Sequence, residues 1–259
     1  MRIKVHGHRG ARARRPENTV PAFRYAIDLG VDAVELDVLV TKDDVPVVLH
    51  DPCIGEPPIA VRDMTLAELR QYDVGAPKNP RFPEQQSVPG TRVPTLDEVF
   101  ALSRGNKIWF NVEAKSFPDR PELTPDPQPF TRLILDLVRQ HSLASRVIVQ
   151  SFDPRITRTA AMLEPAVRRS ALWETEREWP EVASEFAVNM LGPRHDFVTP
   201  ERVAWAHAAG FEVAPWTVNR PEDWARMVIA GVDAIITDDP AALMAWLKTK
   251  RPGETGRAD

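Results

Sequence analysis

The chain contains one cysteine, Cys53, in 259 residues. No internal disulfide can form, so the fold rests on buried apolar surface, and the redox compartment is left open. Glycine is scarce as well, 12 residues where an average share would give roughly 18. No uninterrupted apolar stretch approaches ~18 residues, and Met1 is followed by Arg2, Lys4, His6 and His8 where a signal peptide would be apolar. A soluble, cytoplasmic chain without a membrane span is expected, and a leader removed from a longer precursor is compatible with the same pattern. Positive charge is not in excess: 33 Lys and Arg face 37 Asp and Glu, a net charge of −4, which argues against wholesale nucleic-acid binding. Two catalytic signatures are missing. Without G-x-S-x-G or G-x-x-x-x-G-K-[ST], neither serine acyl chemistry nor a phosphate loop has support.

Proline is abundant. Its 25 residues are about twice the usual share, and they crowd 52–94 and 116–129. The first stretch is too long for an ordinary connection and reads as a Pro-rich insertion, with one short helix over Thr65 to Tyr72. Elsewhere short apolar runs alternate with segments of helical period, the pattern of βα units and a parallel sheet. Strands are expected at Ile3 to His6, Ala33 to Val40, Lys107 to Glu113, Arg146 to Gln150, Val167 to Leu172, Ala187 to Leu191, Glu212 to Thr217 and Ala234 to Thr237. Each is followed by a helix, near Thr19 to Leu29, Leu96 to Ser103, Pro129 to His141, Pro154 to Glu164, Pro180 to Phe186, Pro200 to Ala209, Pro221 to Ile229 and Pro240 to Lys248. Eight such pairs in ~250 residues predict an α/β protein, a (β/α)8 TIM barrel forming a single domain over 1–259 with an insertion at about 52–94. A repeat supports the count: Gly30-Val31-Asp32-Ala33-Val34-Glu35-Leu36-Asp37 recurs as Gly231-Val232-Asp233-Ala234-Ile235-Ile236-Thr237-Asp238. Each copy reads as a helix-ending glycine, a turn and a buried strand finishing in an acid.

In such a barrel the reactive groups lie at the C-terminal strand ends. The first strand leads into His8-Arg9-Gly10, the second carries Glu35 and Asp37 and runs on to His50-Asp51, the third ends in Glu113-Ala114-Lys115 and the fourth in Gln150-Ser151. Glu35 and Asp37, two apart, share a face, and Glu113 on a neighbouring strand can join them. Three buried carboxylates need a compensating charge. An all-oxygen set suits one hard divalent cation, Mg²⁺ or Ca²⁺; alternatively Glu35 pairs with Lys115 or another base and Asp37 caps a loop. His8 and His50 are candidate proton carriers, and Arg9 offers a planar fork for a phosphate. His6 reads as a supporting partner on the His8 face, and Arg12, Arg14 and Arg15 as a solvated basic rim. Acids, an arginine and two histidines together suit phosphodiester cleavage.

These residues resemble the glycerophosphodiester phosphodiesterase family from about His8 to Pro240. The resemblance is carried by His8-Arg9-Gly10, Pro16-Glu17-Asn18-Thr19, Glu35-Leu36-Asp37-Val38, Thr41-Lys42-Asp43, His50-Asp51, Glu113 with Lys115, Gln150-Ser151-Phe152, Trp216-Thr217-Val218-Asn219 and Thr237-Asp238-Asp239-Pro240. It implies a metal-dependent barrel hydrolase. Glu35, Asp37 and Glu113 would hold the metal, His8 and His50 act as acid and base, and Arg9, Lys115, Gln150 and Trp216 meet phosphate or substrate. The implied partner is a small glycerophosphodiester, cleaved to sn-glycerol 3-phosphate and an alcohol in lipid and glycerol metabolism. The chain departs from the family pattern at Asp44, where a glycine is common, and at Pro52 to Pro58, so the leaving alcohol stays open, as does the oligomeric state. Two other functions fit the same residues: a phospholipase-type barrel phosphodiesterase (lysophospholipase D or cyclising), and a non-catalytic binding barrel.

Overall fold

A computed structural model describes residues 2–250. Met1 and 251–259, the ends of the expected domain range, lie outside the described residues. Eight parallel strands carry the architecture: β1 (Lys4–Gly7), β2 (Ala33–Val40), β3 (Trp109–Ala114), β4 (Val147–Ser151), β5 (Arg168–Trp173), β6 (Met190–Pro193), β7 (Glu212–Val213) and β8 (Ala234–Thr237). They lie side by side in the order β7-β6-β5-β4-β3-β2-β1-β8. Backbone bonds from Asp233 N–H to Val213 O (2.9 Å), Ile236 N–H to Pro215 O (3.1 Å) and Val218 N–H to Ile236 O (2.9 Å) join β8 to the chain around β7. The (β/α)8 barrel expected from the alternating pattern is therefore the observed fold.

Among the described residues eight helices surround it: α1 (Val20–Leu29), α2 (Leu96–Phe100), α3 (Pro127–Gln140), α4 (Pro154–Leu163), α5 (Trp179–Phe186), α6 (Pro200–Ala208), α7 (Pro221–Ala230) and α8 (Pro240–Thr249). All but α2 have proline in the first two helical positions, which explains much of the proline excess: its missing N–H is harmless there. Gly30 and Gly231, the repeat glycines, end α1 and α7 in the left-handed conformation, with φ of 79° and 81°. Helix faces built from Phe23, Phe100, Phe130, Ile134 and Phe186 bury against β-strand residues such as Leu36, Phe110, Val112 and Val149 in one continuous core.

Two boundaries moved. Ala187 is left-handed (φ 53°) and closes α5, so β6 starts at Met190 and not at Ala187. At β7 the regular strand is only Glu212–Val213, short of the expected Thr217, although pairing with β6 continues through Ala214 N–H to Leu191 O (2.8 Å) and Trp216 N–H to Pro193 O (3.2 Å). Between β2 and α2, Pro46–Val48 pairs antiparallel with β2, and a hairpin of Cys53–Ile54 with Ile59–Ala60 follows. The short helix there spans only Leu66–Leu69, capped by Thr65 and Glu68. Leu39, Val47, Val61, Met64, Leu69 and Val93 give this excursion its own small core. Among the described residues no helix is long and apolar enough to cross a membrane.

Candidate active site

The C-terminal ends of β1 to β4 converge their polar side chains on one cavity. Register places Asp37 opposite Glu113 and Glu113 opposite Gln150, with Glu35 opposite Asn111 one step deeper. Inward-pointing residues on neighbouring parallel strands are thus stacked in two layers. Glu35, Asp37 and Glu113 are all buried, and one oxygen from each lies within 4.8 Å of the others. The convergence inferred from their two-residue spacing is present.

Two cations compensate three acids. Arg9 Nε lies 3.1 Å from Asp37 Oδ2, while Lys115 Nζ is 2.9 Å from Glu113 and 3.8 Å from Asp37. Lys115 therefore pairs with Glu113 and Asp37, not with Glu35 as one alternative had it. Glu35 instead accepts the backbone N–H of Arg9 (2.9 Å) and the amide of Gln150 (3.1 Å). Burial first, then the charges of Asp37 and Glu113, pushes the Glu35 carboxyl well above the usual range. Burial acts the same way on Asp37, but Arg9, Lys115 and a 2.8 Å bond from Asn18 overcome it and hold that carboxyl low. Burial also raises Glu113, against the pull of Lys115.

The cluster fits a hard divalent ion. Three oxygen donors meet in one buried place, and the polar atoms around them are incompletely served. Asn111, fully buried on the Glu113 face, has neither amide atom hydrogen-bonded, and Gln150 Oε1 is equally orphaned. Buried polar atoms without partners beside clustered carboxylates are what an ion and its ordered water would satisfy.

The β1 turn aims the next two groups. A side chain at Gly7 would strike the Gly10 carbonyl, at 2.0 Å, so the loop can be this tight only with glycine there. Arg9 adopts a left-handed φ of 50° and Asn18 one of 56°. Both are held: Arg9 N–H binds Glu35, and Asn18 N–H binds Arg9 O at 3.1 Å. His8 N–H bonds Thr237 O (2.8 Å), and His8 Nδ1 lies 2.5 Å from Asp238 Oδ1. Its other nitrogen, Nε2, is turned inward, 3.9 Å from Glu35. On the opposite side the short strand Pro46–Val48 returns along β2, and Leu49 N–H bonds Asp37 O at 3.1 Å. That contact brings His50 to the mouth, where Nδ1 meets Asp51 at 2.7 Å. His8, Arg9, Glu35, His50, Glu113, Lys115, Gln150 and Trp216 line the same cavity, about 460 Å³ in volume.

Sequence reasoning missed the groups that hold these in place. Asp238 was visible as the repeat counterpart of Asp37, since both copies end in an acid at a strand tip. It is fixed by Asn219, whose side chain donates to Asp238 Oδ2 (2.7 Å) and accepts Asp238 N–H (2.9 Å). Although burial raises its carboxyl, His8 and then Arg12 hold it below the usual range. Arg12, expected on a solvated rim, is buried beside Glu17 (3.3 Å) and Asp238 (3.6 Å). Glu17 also takes Arg9 Nη1 at 2.6 Å. His6 does not reach His8; it lies one layer down, lining a cavity of about 410 Å³ near Trp109 and Arg168 at the other end of the barrel. Ser151 is structural, donating to Ala114 O at 2.8 Å.

The buried carboxylate trio, two imidazoles and two cations thus gather at the mouth of a (β/α)8 barrel, and the likeness to known proteins places the chain among phosphoric diester hydrolases. The glycerophosphoryl diester phosphodiesterase family model matches residues 8–242. A glycerophosphodiester phosphodiesterase of Caldanaerobacter subterraneus subsp. tengcongensis is 34% identical over 94% of this chain and 97% of its own length. A solved structure of a putative glycerophosphoryl diester phosphodiesterase from Silicibacter pomeroyi superposes with a TM-score of 0.89 at 32% identity, covering 95% of this chain and 93% of that one. An Oleispira antarctica phosphodiesterase, solved with the product sn-glycerol-3-phosphate, shares the fold, with a TM-score of 0.81 at 23% identity over 95% and 96% of the two chains. The chain belongs to the glycerophosphoryl diester phosphodiesterase family.

Proposed function

We propose that this protein hydrolyses glycerophosphodiesters to sn-glycerol 3-phosphate and an alcohol, using one divalent cation and the His8 and His50 pair as acid and base. The observation that carries this is the shared cavity: both imidazoles, Arg9, Lys115, Glu35 and Glu113 line one space of about 460 Å³, with Asp37 clustered against the two acids. Glu35, Asp37 and Glu113 would hold Mg²⁺ or Ca²⁺, which when bound neutralises charge on the phosphoryl oxygens. Arg9 and Lys115 bind those oxygens from the protein side. One imidazole takes the proton of the attacking oxygen, and the other delivers a proton to the departing alcohol. Asp238 orients His8, because a carboxylate at Nδ1 fixes the proton on that nitrogen and leaves Nε2, beside Glu35, for proton transfer. Gln150 orients Glu35 through its amide, and Trp216 walls the cavity.

The test is turnover of glycerophosphocholine by purified protein, with phosphorus NMR of the products. Glycerol 3-phosphate is expected with Mg²⁺ or Ca²⁺ and is lost after exhaustive chelation; a cyclic phosphate product would favour internal attack by a substrate hydroxyl. His8→Ala and His50→Ala should each lower kcat by roughly 10²–10⁴-fold. Full activity after chelation, or a near-normal rate in either variant, refutes the corresponding role.

A further inference from the structure

The cavity has two unlike sides. One holds the charged groups described above; the other is walled by Phe117, Phe152, Leu172 and Trp216, with Glu174 beside them. Phe152 is 38% exposed, unusual for a large apolar side chain, and meets Trp216 edge to face at 5.4 Å. An exposed aromatic pair facing a catalytic cavity has area to offer a ligand. Two of its polar groups are already engaged: Trp216 Nε1–H donates to Gly192 O (2.8 Å), and Ser116 Oγ to Asp153 (2.6 Å). Glu174 differs. Of the acids lining the cavity, Glu35 and Glu113 have hydrogen-bonding partners, whereas no lysine or arginine among the described residues pairs with Glu174, which is exposed just past β5. Nearby cations are taken, Arg177 by Glu185 (2.6 Å) and Arg202 by Glu176.

We infer that this wall is the leaving-group subsite, that it selects alcohols carrying a cationic nitrogen, and that Glu174 is its specificity-determining carboxylate; this rests on the hydrolytic reading above. The alternative occupant, the glycerol end, has two hydroxyls that need hydrogen-bond partners. Those hydroxyls could donate to Glu174, but with the Trp216 and Ser116 donors spent inside the protein their oxygens would find neither of those donors there. A methylated ammonium group has no donors to satisfy, is attracted to aromatic faces and is neutralised by a carboxylate. Position agrees, because substrate-selecting groups in this architecture come from the loops after the strands.

Kinetics of the full chain with its divalent cation, on glycerophosphocholine and on glycerophosphoglycerol, whose leaving alcohol is neutral, test the assignment. Glu174→Gln should raise KM for glycerophosphocholine about five- to tenfold with kcat within about twofold, and leave both constants for the neutral diester unchanged. Tetramethylammonium chloride, followed by tryptophan fluorescence, should bind the unaltered protein and bind Glu174→Gln about five- to tenfold more weakly. Parallel changes for both diesters, no change for either, or tetramethylammonium binding indifferent to Glu174 overturns the subsite. Glu174-dependent tetramethylammonium binding by a protein that hydrolyses neither diester sustains the subsite and overturns the hydrolytic reading instead.

Discussion

His6 makes the fold sensitive to acid, and the size of the effect follows from its burial. The side chain is 2% exposed on β1, its Nδ1 without a partner. Burial drives its pKa from 6.5 down to about 4; Lys4 and Arg168 push the same way, while Asp32 and Glu212 oppose. Above pH 6.5 the ring is neutral in both folded and unfolded chains, so it contributes no pH dependence. Between 6.5 and about 4 only the unfolded chain takes up the proton, and stability falls as the pH falls; below about 4 both states are charged and the loss is complete. At about 1.4 kcal/mol per pH unit, the loss across that window is ~3 kcal/mol, a large share of the 5–15 kcal/mol of an ordinary domain. Replacing His6 with leucine removes the proton linkage while keeping an apolar side chain among Trp109, Ile148 and Met190, which line the same cavity. Guanidinium unfolding followed by tryptophan fluorescence from pH 7 to pH 4 should show a shallower decline for His6→Leu, the unaltered protein losing up to ~3 kcal/mol relative to the variant across the range. Every other titrating group is shared, so the comparison isolates His6. Parallel pH profiles would refute the buried, neutral assignment, whatever the offset between them.

Three further outcomes follow from the mouth of the barrel. Asp238→Asn, which keeps the shape but lets His8 adopt the wrong tautomer, should lower kcat by roughly 10²–10⁴-fold with cation binding unchanged; normal turnover would deny Asp238 its orienting role. Mg²⁺ or Ca²⁺ at about 100 times its Kd should add ~2.7 kcal/mol of stability, roughly 5–10 °C in Tm for a chain of this size, and Glu35→Gln should abolish the rise. A Tm indifferent to both ions in the unaltered protein would remove the cation from this site. Lys115→Met should tighten cation binding, by deleting a charge held 2.9 Å from Glu113, and raise KM for a diester about tenfold or more; calorimetry and kinetics read the two effects separately.

Much of the architecture was legible because this chain punctuates itself with residues of restricted backbone. Proline opens helices and Gly30 and Gly231 close them, so the alternation stands out even where single strands are short. The boundaries of β2 were read correctly; β6 was misread where Ala187 takes a left-handed turn, an event that apolar content does not register, and the regular part of β7 ends at Val213 although its pairing with β6 runs on to Trp216. The acids were legible for a different reason: Glu35 and Asp37 interrupt an apolar strand, and a buried carboxylate signals a need for compensation. Their supports were not. Asp238 is 230 residues from His8 and Asn18 is 19 from Asp37, and such pairings depend on barrel closure and loop conformation. His6 was misplaced because β1 ends at Gly7. Past that point the tight turn sets where His8 points, and the two-residue alternation of a strand no longer applies.

The charge arrangement bears on how Arg9 and Lys115 would be freed to serve substrate in the proposed reaction. With only protein groups present, both are committed to acids: Arg9 to Asp37 and Glu17, Lys115 to Glu113 and Asp37. A phosphate entering that arrangement would have to draw them away from carboxylates that burial already makes costly to leave charged and unpaired. A divalent cation held by Glu35, Asp37 and Glu113 would take over the compensation of those acids, and the guanidinium and ammonium groups would become available to phosphoryl oxygens. On the proposed reading, cation and phosphate would therefore favour each other's binding although both draw on the same small set of side chains. Because such coupling is reciprocal, the factor by which the ion tightens the phosphate equals the factor by which the phosphate tightens the ion. Glu113 is the hinge of this exchange, being at once the closest partner of Lys115 and a member of the trio.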